Sequence, residues 1–194
     1  MFENLRADFV RTRSDIAWAL EQEGIKGSAF LENIRVLMSL AIWANISYRF
    51  SHWVSKLHVP IVRPFLMVLA IVLQRWTGLW TGVCIHRLAE IGPGLVIHAP
   101  YAICIGPTRT GANLTVATGV FIAGESKGIG DNVYFGPGAK LIGNARIGNN
   151  VVVGANSLVL TDVPDDMTVI GVPARICLRG GHPKRFPPLI ETSP

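Results

Sequence analysis

The segment from Ile129 to Val159 reads IGDNVYFGPGAKLIGNARIGNNVVVGANSLV and places an apolar residue at every sixth position. The same spacing extends back to Ile85, with one-residue slips before Thr110 and before Ile129. Twelve of the 13 positions in the series are apolar: Ile85, Ile91, Ile97, Ile103, Val116, Ile122, Ile129, Phe135, Leu141, Ile147, Val153 and Val159. Neither a single helix nor an alternating strand has a period of six residues, which is typical of a parallel β-helix.

Each hexad of such a repeat forms a short strand and a turn, and three hexads complete a triangular coil of about 18 residues. The 13 hexads therefore predict slightly more than four coils. Stacking them in threes predicts a glycine column, which we interpret as a corner that needs a positive φ: Gly92, Gly111, Gly130 and Gly148. A neighbouring column of small residues lies below one histidine: His98, Ala117, Gly136 and Gly154. These small residues either satisfy the geometry of the turn or leave a groove for a slender cofactor.

The residues before the repeat follow a helical period instead, and they predict about three helices packed together. Gly24 and Gly27 separate the first helix from the second, and Pro60 and Pro64 separate the second from the third. We therefore predict a helical region over residues 1–81, a β-helix over residues 82–170, and a final turn with a basic tail over residues 171–194.

The composition restricts the classes of function. Hydrophobic residues make up 49% of the chain and charged residues 16%, which excludes a disordered chain and indicates surface buried against a partner subunit or a membrane. The net charge of +5 is diffuse and does not favour a nucleic-acid partner. The three cysteines are odd in number and far apart, so they predict neither a disulfide framework nor a paired-cysteine zinc site.

Membrane and export signals are weak. The longest uninterrupted apolar run is Phe65 to Leu73, whereas a spanning helix needs about 20 residues. We interpret this run as a buried helix face, and a peripheral membrane contact is the alternative because Lys and Arg flank it. The first residues lack the apolar core of a signal peptide, which favours a cytoplasmic protein, with the inner face of the membrane as the site of any such contact.

Four motifs carry a family resemblance: YRFSHW from Tyr48, LAIVLQRWTGLWTGVCIHRLAEIGPGL from Leu69, the hexads themselves, and GVPARI from Gly171. Over roughly residues 30–178 the sequence resembles the hexapeptide acyltransferases, and among them the serine O-acetyltransferase family. The resemblance implies a left-handed parallel β-helix, homotrimers built side by side, and N-terminal helices through which trimers pair. It also implies direct acetyl transfer from acetyl-coenzyme A to a hydroxyl group, with no metal.

The resemblance also implies a catalytic histidine. An alcohol is a poor nucleophile at neutral pH, so its attack on a thioester needs an imidazole placed to take its proton. His98 lies in the segment where the family carries this base, although it falls one position earlier and Ala99 occupies the family's base position. His98 is therefore the candidate base, and a structural or binding histidine is the alternative.

Further site residues are predicted, and two of the cofactor candidates among them come from the resemblance. Gly171 and Ala174 match the turn against which the pantetheine arm of the cofactor lies. Arg175 and Arg179 lie in a stretch that we predict to be loop, and they are candidates to bind the coenzyme A phosphates, unless they belong to a solvated basic tail. Cofactor-binding candidates in the repeat are Ala117, Gly136 and Gly154. Candidates on the substrate side are His86 and Glu125, with a structural role as the alternative for His86.

The acceptor is predicted from what the sequence lacks. A zwitterionic amino acid needs a carboxylate and a cation, and the anchoring residues of the serine enzymes are missing or displaced, with no histidine between Gly124 and Asn132. We therefore expect a sugar of a polysaccharide or glycolipid pathway as the acceptor. L-serine is the alternative acceptor, and a non-catalytic trimeric scaffold is the alternative function. A zinc-dependent carbonic anhydrase is disfavoured because it needs three converging histidines, and only His86 and His98 lie in the repeat.

Overall fold

The fold is seen in a computed structural model, which describes residues 2–22, 24, 29–124 and 126–179. Four helices come first: α1 (Phe2–Gln22), α2 (Ala29–Met38), α3 (Leu40–Ser55) and α4 (Arg63–Thr81). This is one helix more than the sequence predicts, because Ser39 divides the second helix in two. The Ser39 side chain accepts a hydrogen bond from the Ala41 backbone N–H at 3.3 Å and so caps α3.

The second half of the described chain is a β-helix of short strands stacked in three sheets. The first sheet holds β1 (Val83–Ile85), β4 (Ile103–Ile105), β7 (Phe121–Ile122), β10 (Lys140–Leu141) and β13 (Leu158–Val159). The second holds β2 (Glu90–Ile91), β5 (Arg109–Thr110), β8 (Gly128–Ile129) and β11 (Arg146–Ile147). The third holds β3 (Val96–Ile97), β6 (Thr115–Val116), β9 (Tyr134–Phe135), β12 (Val152–Val153), β14 (Met167–Gly171) and β15 (Ala174–Arg179). The predicted parallel β-helix with a preceding helical region is confirmed.

The hexad residues fill the interior of the coils. The observed strand register places one of them, Ile103, differently from the sequence prediction. The sequence stacks Ile103 on Ile85, whereas the structure pairs Ile85 with Ile105 and Val83 with Ile103. The reason is the turn after Ile97, which contains two residues with positive φ, Ala99 and Ala102, and is longer than a hexad allows. Core residues on either side of this turn are almost fully buried.

The glycine column is present, but its predicted cause is wrong. Gly92 and the three glycines below it do not have positive φ values. A methyl group on Gly92 would instead overlap the backbone carbonyl of Gly111 in the next coil, so the close approach of the coils excludes a side chain. The positive φ values fall two residues later, at a second column: Gly94, Asn113, Asn132, Asn150 and Asp166.

This second column forms a ladder of side-chain amides. Asn113 donates to Asn132 at 3.0 Å, Asn132 to Asn150 at 2.9 Å, and Asn150 to the carboxylate of Asp166 at 2.9 Å. Asparagine tolerates the left-handed backbone conformation better than other residues with a side chain, and here its amide also links one coil to the next.

The helices cover the exposed edge of the first coil. Asp8 accepts hydrogen bonds from the backbone N–H groups of Gly94 and Leu95 at 2.9 and 2.8 Å. Arg49 pairs with both carboxylate oxygens of Asp8 at 3.0 Å and donates to the Gly92 carbonyl at 2.6 Å. Tyr48 donates to the Ala89 carbonyl at 2.7 Å. These side chains satisfy backbone groups that have no preceding coil to pair with.

Two further expectations about the ends of the β-helix are corrected. Residues 175–179, predicted as loop, belong to β15, which pairs antiparallel with β14, with one register shift between Thr168 and Val169. The run from Phe65 to Leu73, interpreted as a buried helix face, lies largely exposed on α4, because α4 turns its polar residues inward. Among the described residues, none of the helices is both long enough and apolar enough to cross a membrane.

Candidate functional site

His98 lies on the outside of the first coil, directly after β3. Ile97 points into the core and is 4% exposed, whereas the His98 side chain is 34% exposed. The Nδ1 atom of its ring lies 3.3 Å from Oδ2 of Asp15, and the Asp15 side chain is 14% exposed. The ring is therefore oriented by a carboxylate on one side and remains accessible to solvent.

Helix α1 supplies this carboxylate and fixes its position. Arg11, one helical turn before Asp15, is buried and donates to the carbonyl of Leu114 at 3.2 Å and to Oγ1 of Thr115 at 2.7 Å. Burial lowers the pKa of Arg11 to about 10, so the guanidinium stays charged at neutral pH. Burial also raises the pKa of Asp15, and the charges of His98 and Arg11 act in the opposite direction.

Tyr134 of β9 also responds to the charge of Asp15. Burial is the main cause that raises the pKa of its hydroxyl, and the negative charge of Asp15 adds to it. The hydroxyl is therefore held in its protonated form and can donate a hydrogen bond. His98 directly follows β3 and Tyr134 lies in β9 of the same sheet, and Asp15 of α1 lies against the His98 ring.

The predicted column below His98 is confirmed as a stack of neighbouring residues. The backbone N–H groups of His98, Ala117 and Gly136 donate to the next coil at 2.9, 3.0 and 2.8 Å. With an intercoil spacing of about 4.8 Å, the column from His98 to Gly154 spans roughly 14 Å. It ends at Ile170, whose side chain lies against Gly154.

Packing between coils explains the glycines of this column. A methyl group on Gly136 would approach the Ala155 nitrogen to 2.8 Å, and one on Gly154 would overlap the Ile170 side chain. The close approach of successive coils, rather than a positive φ at the turn, therefore requires small residues here. The result is still a corner without protruding side chains, and binding of a cofactor along it stays a prediction.

The GVPARI motif forms the end of β14 and the start of β15. Gly171 has a φ of 104°, and its N–H donates to the Ser157 hydroxyl at 3.1 Å. Ala174 is half-buried against the core, and the Arg175 side chain is exposed. Arg179 ends β15, and its side chain lies outside the described residues, as do residues 180–194.

Of the two candidates on the substrate side, His86 is described, and it is not brought to His98 within one chain. His86 follows β1 at another corner of the coil, where its Nδ1 accepts a hydrogen bond from the Leu88 N–H at 3.2 Å. This local turn contact agrees with the structural alternative for His86. Glu125 lies outside the described residues.

Sequence reasoning missed Asp15 and Arg11 because both lie in α1, far from the repeat in sequence. A signal was present, since Asp8, Arg11 and Asp15 recur at helical spacing and share one face of α1. A charged stripe on a helix is usually solvated, whereas Asp8 and Arg11 are buried here. Their partners are backbone and side-chain groups of the β-helix, which the helical period alone does not identify.

A cavity of about 490 Å³ lies elsewhere, between α3 and the first coil. Its exposed cations, Lys56 and Arg109, are both paired with Glu90, at 3.4 and 2.8 Å. Because both cations are already paired with a carboxylate of this chain, His98 remains the better candidate centre.

The chain is similar to proteins of one enzyme family. The model described as Bacterial transferase hexapeptide (six repeats) matches residues 127–161. The serine acetyltransferase of Synechococcus elongatus is 37% identical over 146 residues, 71% of this chain and 57% of that protein, so the chain spans under two thirds of that relative. The serine acetyltransferase of Staphylococcus xylosus is 34% identical over 180 residues, 89% of this chain and 79% of that protein. The crystal structure of the Brucella abortus serine acetyltransferase in complex with coenzyme A has a TM-score of 0.73 and 27% identity, and covers 92% of this chain and 68% of that chain.

These similarities confirm two predictions and overturn a third. The predicted left-handed β-helix and O-acetyltransferase class are confirmed. The expected sugar acceptor is wrong, because the names of all three proteins specify serine. That expectation counted ionic groups only within the matched motifs, whereas Asp15 of α1 adds a carboxylate from outside them. Sequence and structure together place the chain in the serine acetyltransferase family of hexapeptide-repeat transferases.

Proposed function

We propose that the protein transfers the acetyl group of acetyl-coenzyme A to the hydroxyl of L-serine, with His98 as the general base. The observation that carries the proposal is the pairing of His98 with Asp15 at the upper end of the small-residue column. A solvent-accessible imidazole oriented by a carboxylate is suited to accept a proton from an alcohol. The names of the relatives support serine as the acceptor.

Asp15 orients the imidazole for this step. With a proton on Nδ1 directed at Oδ2 of Asp15, the other ring nitrogen of His98 has a free lone pair toward the acceptor. That nitrogen takes the hydroxyl proton while the serine oxygen forms a bond to the thioester carbonyl carbon. The carbon–sulfur bond then breaks, and the imidazolium returns the proton to the leaving thiolate. The products are O-acetylserine and coenzyme A.

The fixed geometry of the pair supplies part of the rate enhancement. A general base placed within hydrogen-bond reach typically contributes about 10²–10⁴-fold.

We infer that acetyl-coenzyme A binds along the column below His98. Acetyl-coenzyme A supplies the activated acetyl group, and the corner from Ala117 to Gly154 offers an edge without long side chains. Gly171 and Ala174 at the end of the β-helix border the same sheet. Arg175 is exposed and available for a phosphate, and a homotrimer would add a wall from the neighbouring subunit.

Acceptor choice is tested by release of the coenzyme A thiol with a panel of hydroxyl compounds. We expect saturable turnover with L-serine, formation of O-acetylserine by mass spectrometry, and much slower turnover with D-serine and with free or nucleotide-linked sugars. Saturable turnover with a sugar and none with L-serine would disprove serine as the acceptor. Failure to bind acetyl-coenzyme A at all would disprove the enzymatic function.

A further inference from the structure

Helix α4 directs polar side chains toward the protein and apolar side chains toward solvent, which is the opposite of a typical packed helix. Its inner side carries polar contacts: Gln74 accepts from Ser51 at 3.2 Å, and the Thr77 hydroxyl donates to Ser47 at 2.9 Å. Its solvent side carries nine large exposed apolar residues, of which Ile71 and Leu73 are the two least exposed. We name the other seven the outer α4 face: Phe65, Val68, Leu69, Val72, Trp76, Leu79 and Trp80. Phe65 is 76% exposed and Leu79 is 81% exposed.

The outer α4 face is continuous. Its residues recur at intervals of three and four, so they form one stripe along a 19-residue helix of about 28 Å. Ile61 and Val62, just before the helix, extend the stripe and are also exposed. Soluble proteins rarely leave such a stripe in water, so a covering surface is expected.

The charged residues around α4 indicate which kind of surface covers the outer α4 face. Between Glu32 and Glu90 the sequence has no aspartate or glutamate. The same stretch holds six basic residues: Arg35, Arg49, Lys56, Arg63, Arg75 and Arg87. Arg63 and Arg75 lie on α4 itself, are exposed, and form no ion pair with any carboxylate of the described residues. An apolar stripe flanked by unpaired cations complements an anionic lipid surface.

A second copy of the chain is a poorer complement. Pairing two outer α4 faces would bring the arginines of one copy close to those of the other, without intervening carboxylates from this stretch. A lipid surface carries the opposite charge and can accept all the apolar side chains at once. The aromatic pair Trp76 and Trp80, with ring centroids 6.2 Å apart, also suits the boundary between acyl chains and headgroups.

We propose that the outer α4 face docks the protein on an anionic bilayer, with α4 lying in the plane of the interface. The apolar side chains enter the acyl boundary, and the long side chains of Arg63 and Arg75 reach the phosphate groups of the lipids. The helix lies on the membrane and does not cross it. Docking is independent of the chemistry at His98, which lies on the β-helix.

The test is co-sedimentation of the full chain with vesicles of phosphatidylcholine, with or without phosphatidylglycerol. We expect binding to the phosphatidylglycerol vesicles that weakens with added salt, and little binding to pure phosphatidylcholine. The triple variant Phe65→Ser, Trp76→Ser, Trp80→Ser should lower the partition coefficient at least about tenfold. Phe2→Ser is the matched control, because Phe2 is 77% exposed on α1, and it should bind as the wild type does.

Two results would overturn the proposal. One is wild-type binding to anionic vesicles no stronger than to neutral ones, or equal binding by the triple variant. The other is a larger wild-type assembly in solution that the triple variant dissociates while neither protein binds vesicles, which would assign the outer α4 face to a second copy. Thiol release in vesicle-free buffer separates this proposal from the enzymatic one, since the triple variant should keep wild-type turnover there.

Discussion

At the scale of single residues, the pairing of His98 with Asp15 is the central contact. In the proposed mechanism Asp15 is a positioning residue, because it would act on the acceptor through the imidazole. We expect Asp15→Asn to lower kcat about 10- to 100-fold with little change in the affinity for coenzyme A, and to shift the pH profile of kcat. Asp15→Glu should recover part of the activity, whereas a purely structural role would leave the pH profile of any active variant unchanged.

The raised pKa of Asp15 also predicts a stability change with pH. The folded chain binds the Asp15 proton more tightly than the unfolded chain does, because burial disfavours the charged carboxylate. Its contribution to stability is therefore fully present below the ordinary pKa of 3.8 and is lost as the pH rises through the folded pKa. Asp15→Asn cannot ionise, so its unfolding midpoint relative to wild type should rise across this window. A relative midpoint that falls with rising pH would contradict the raised pKa.

At the scale of elements, the amide ladder stabilises one corner of the β-helix. Asn132 has a φ of 57° and both donates and accepts within the ladder. Asn132→Ala should destabilise the fold by about 1–3 kcal/mol, since it loses these bonds and keeps a conformation that alanine disfavours. Denaturant unfolding measures the change. Asn132→Gly should cost less, and Asn144→Ala, at an exposed residue outside the ladder, should cost almost nothing.

The hexad period predicted the β-helix because every sixth residue must enter one shared core. It misplaced Ile103 because turn length is set by φ at Ala99 and Ala102, which the apolar period does not record. Within the site, the period predicted the column below His98 but missed Asp15. Contacts between α1 and the β-helix depend on how the two halves pack, which neither half's own period determines.

At the scale of the whole molecule, buried ionic groups join the helices to the first coil. Asp8 is 0% exposed and Arg49 is 4% exposed, and the pair binds backbone groups of the first coil. Arg49→Met should lower stability by about 3–5 kcal/mol, because it leaves the Asp8 carboxylate buried without its cation. Thermal or denaturant unfolding measures the loss.

The double variant Asp8→Asn, Arg49→Met provides the check on that prediction. It removes both charges, so its loss should be smaller than the sum of the two single losses. Strictly additive losses would show that the two side chains stabilise the fold separately and would contradict the pairing.

The assignment of His98 as the base is tested most directly by the rate of thiol release from acetyl-coenzyme A with L-serine in His98→Ala. We predict a fall in kcat of about 10²–10⁴-fold, with the Kd for coenzyme A unchanged by calorimetry. His58→Ala, which replaces an exposed histidine between α3 and α4, should turn over at the wild-type rate. A kcat in His98→Ala equal to that of the wild type would contradict the assignment.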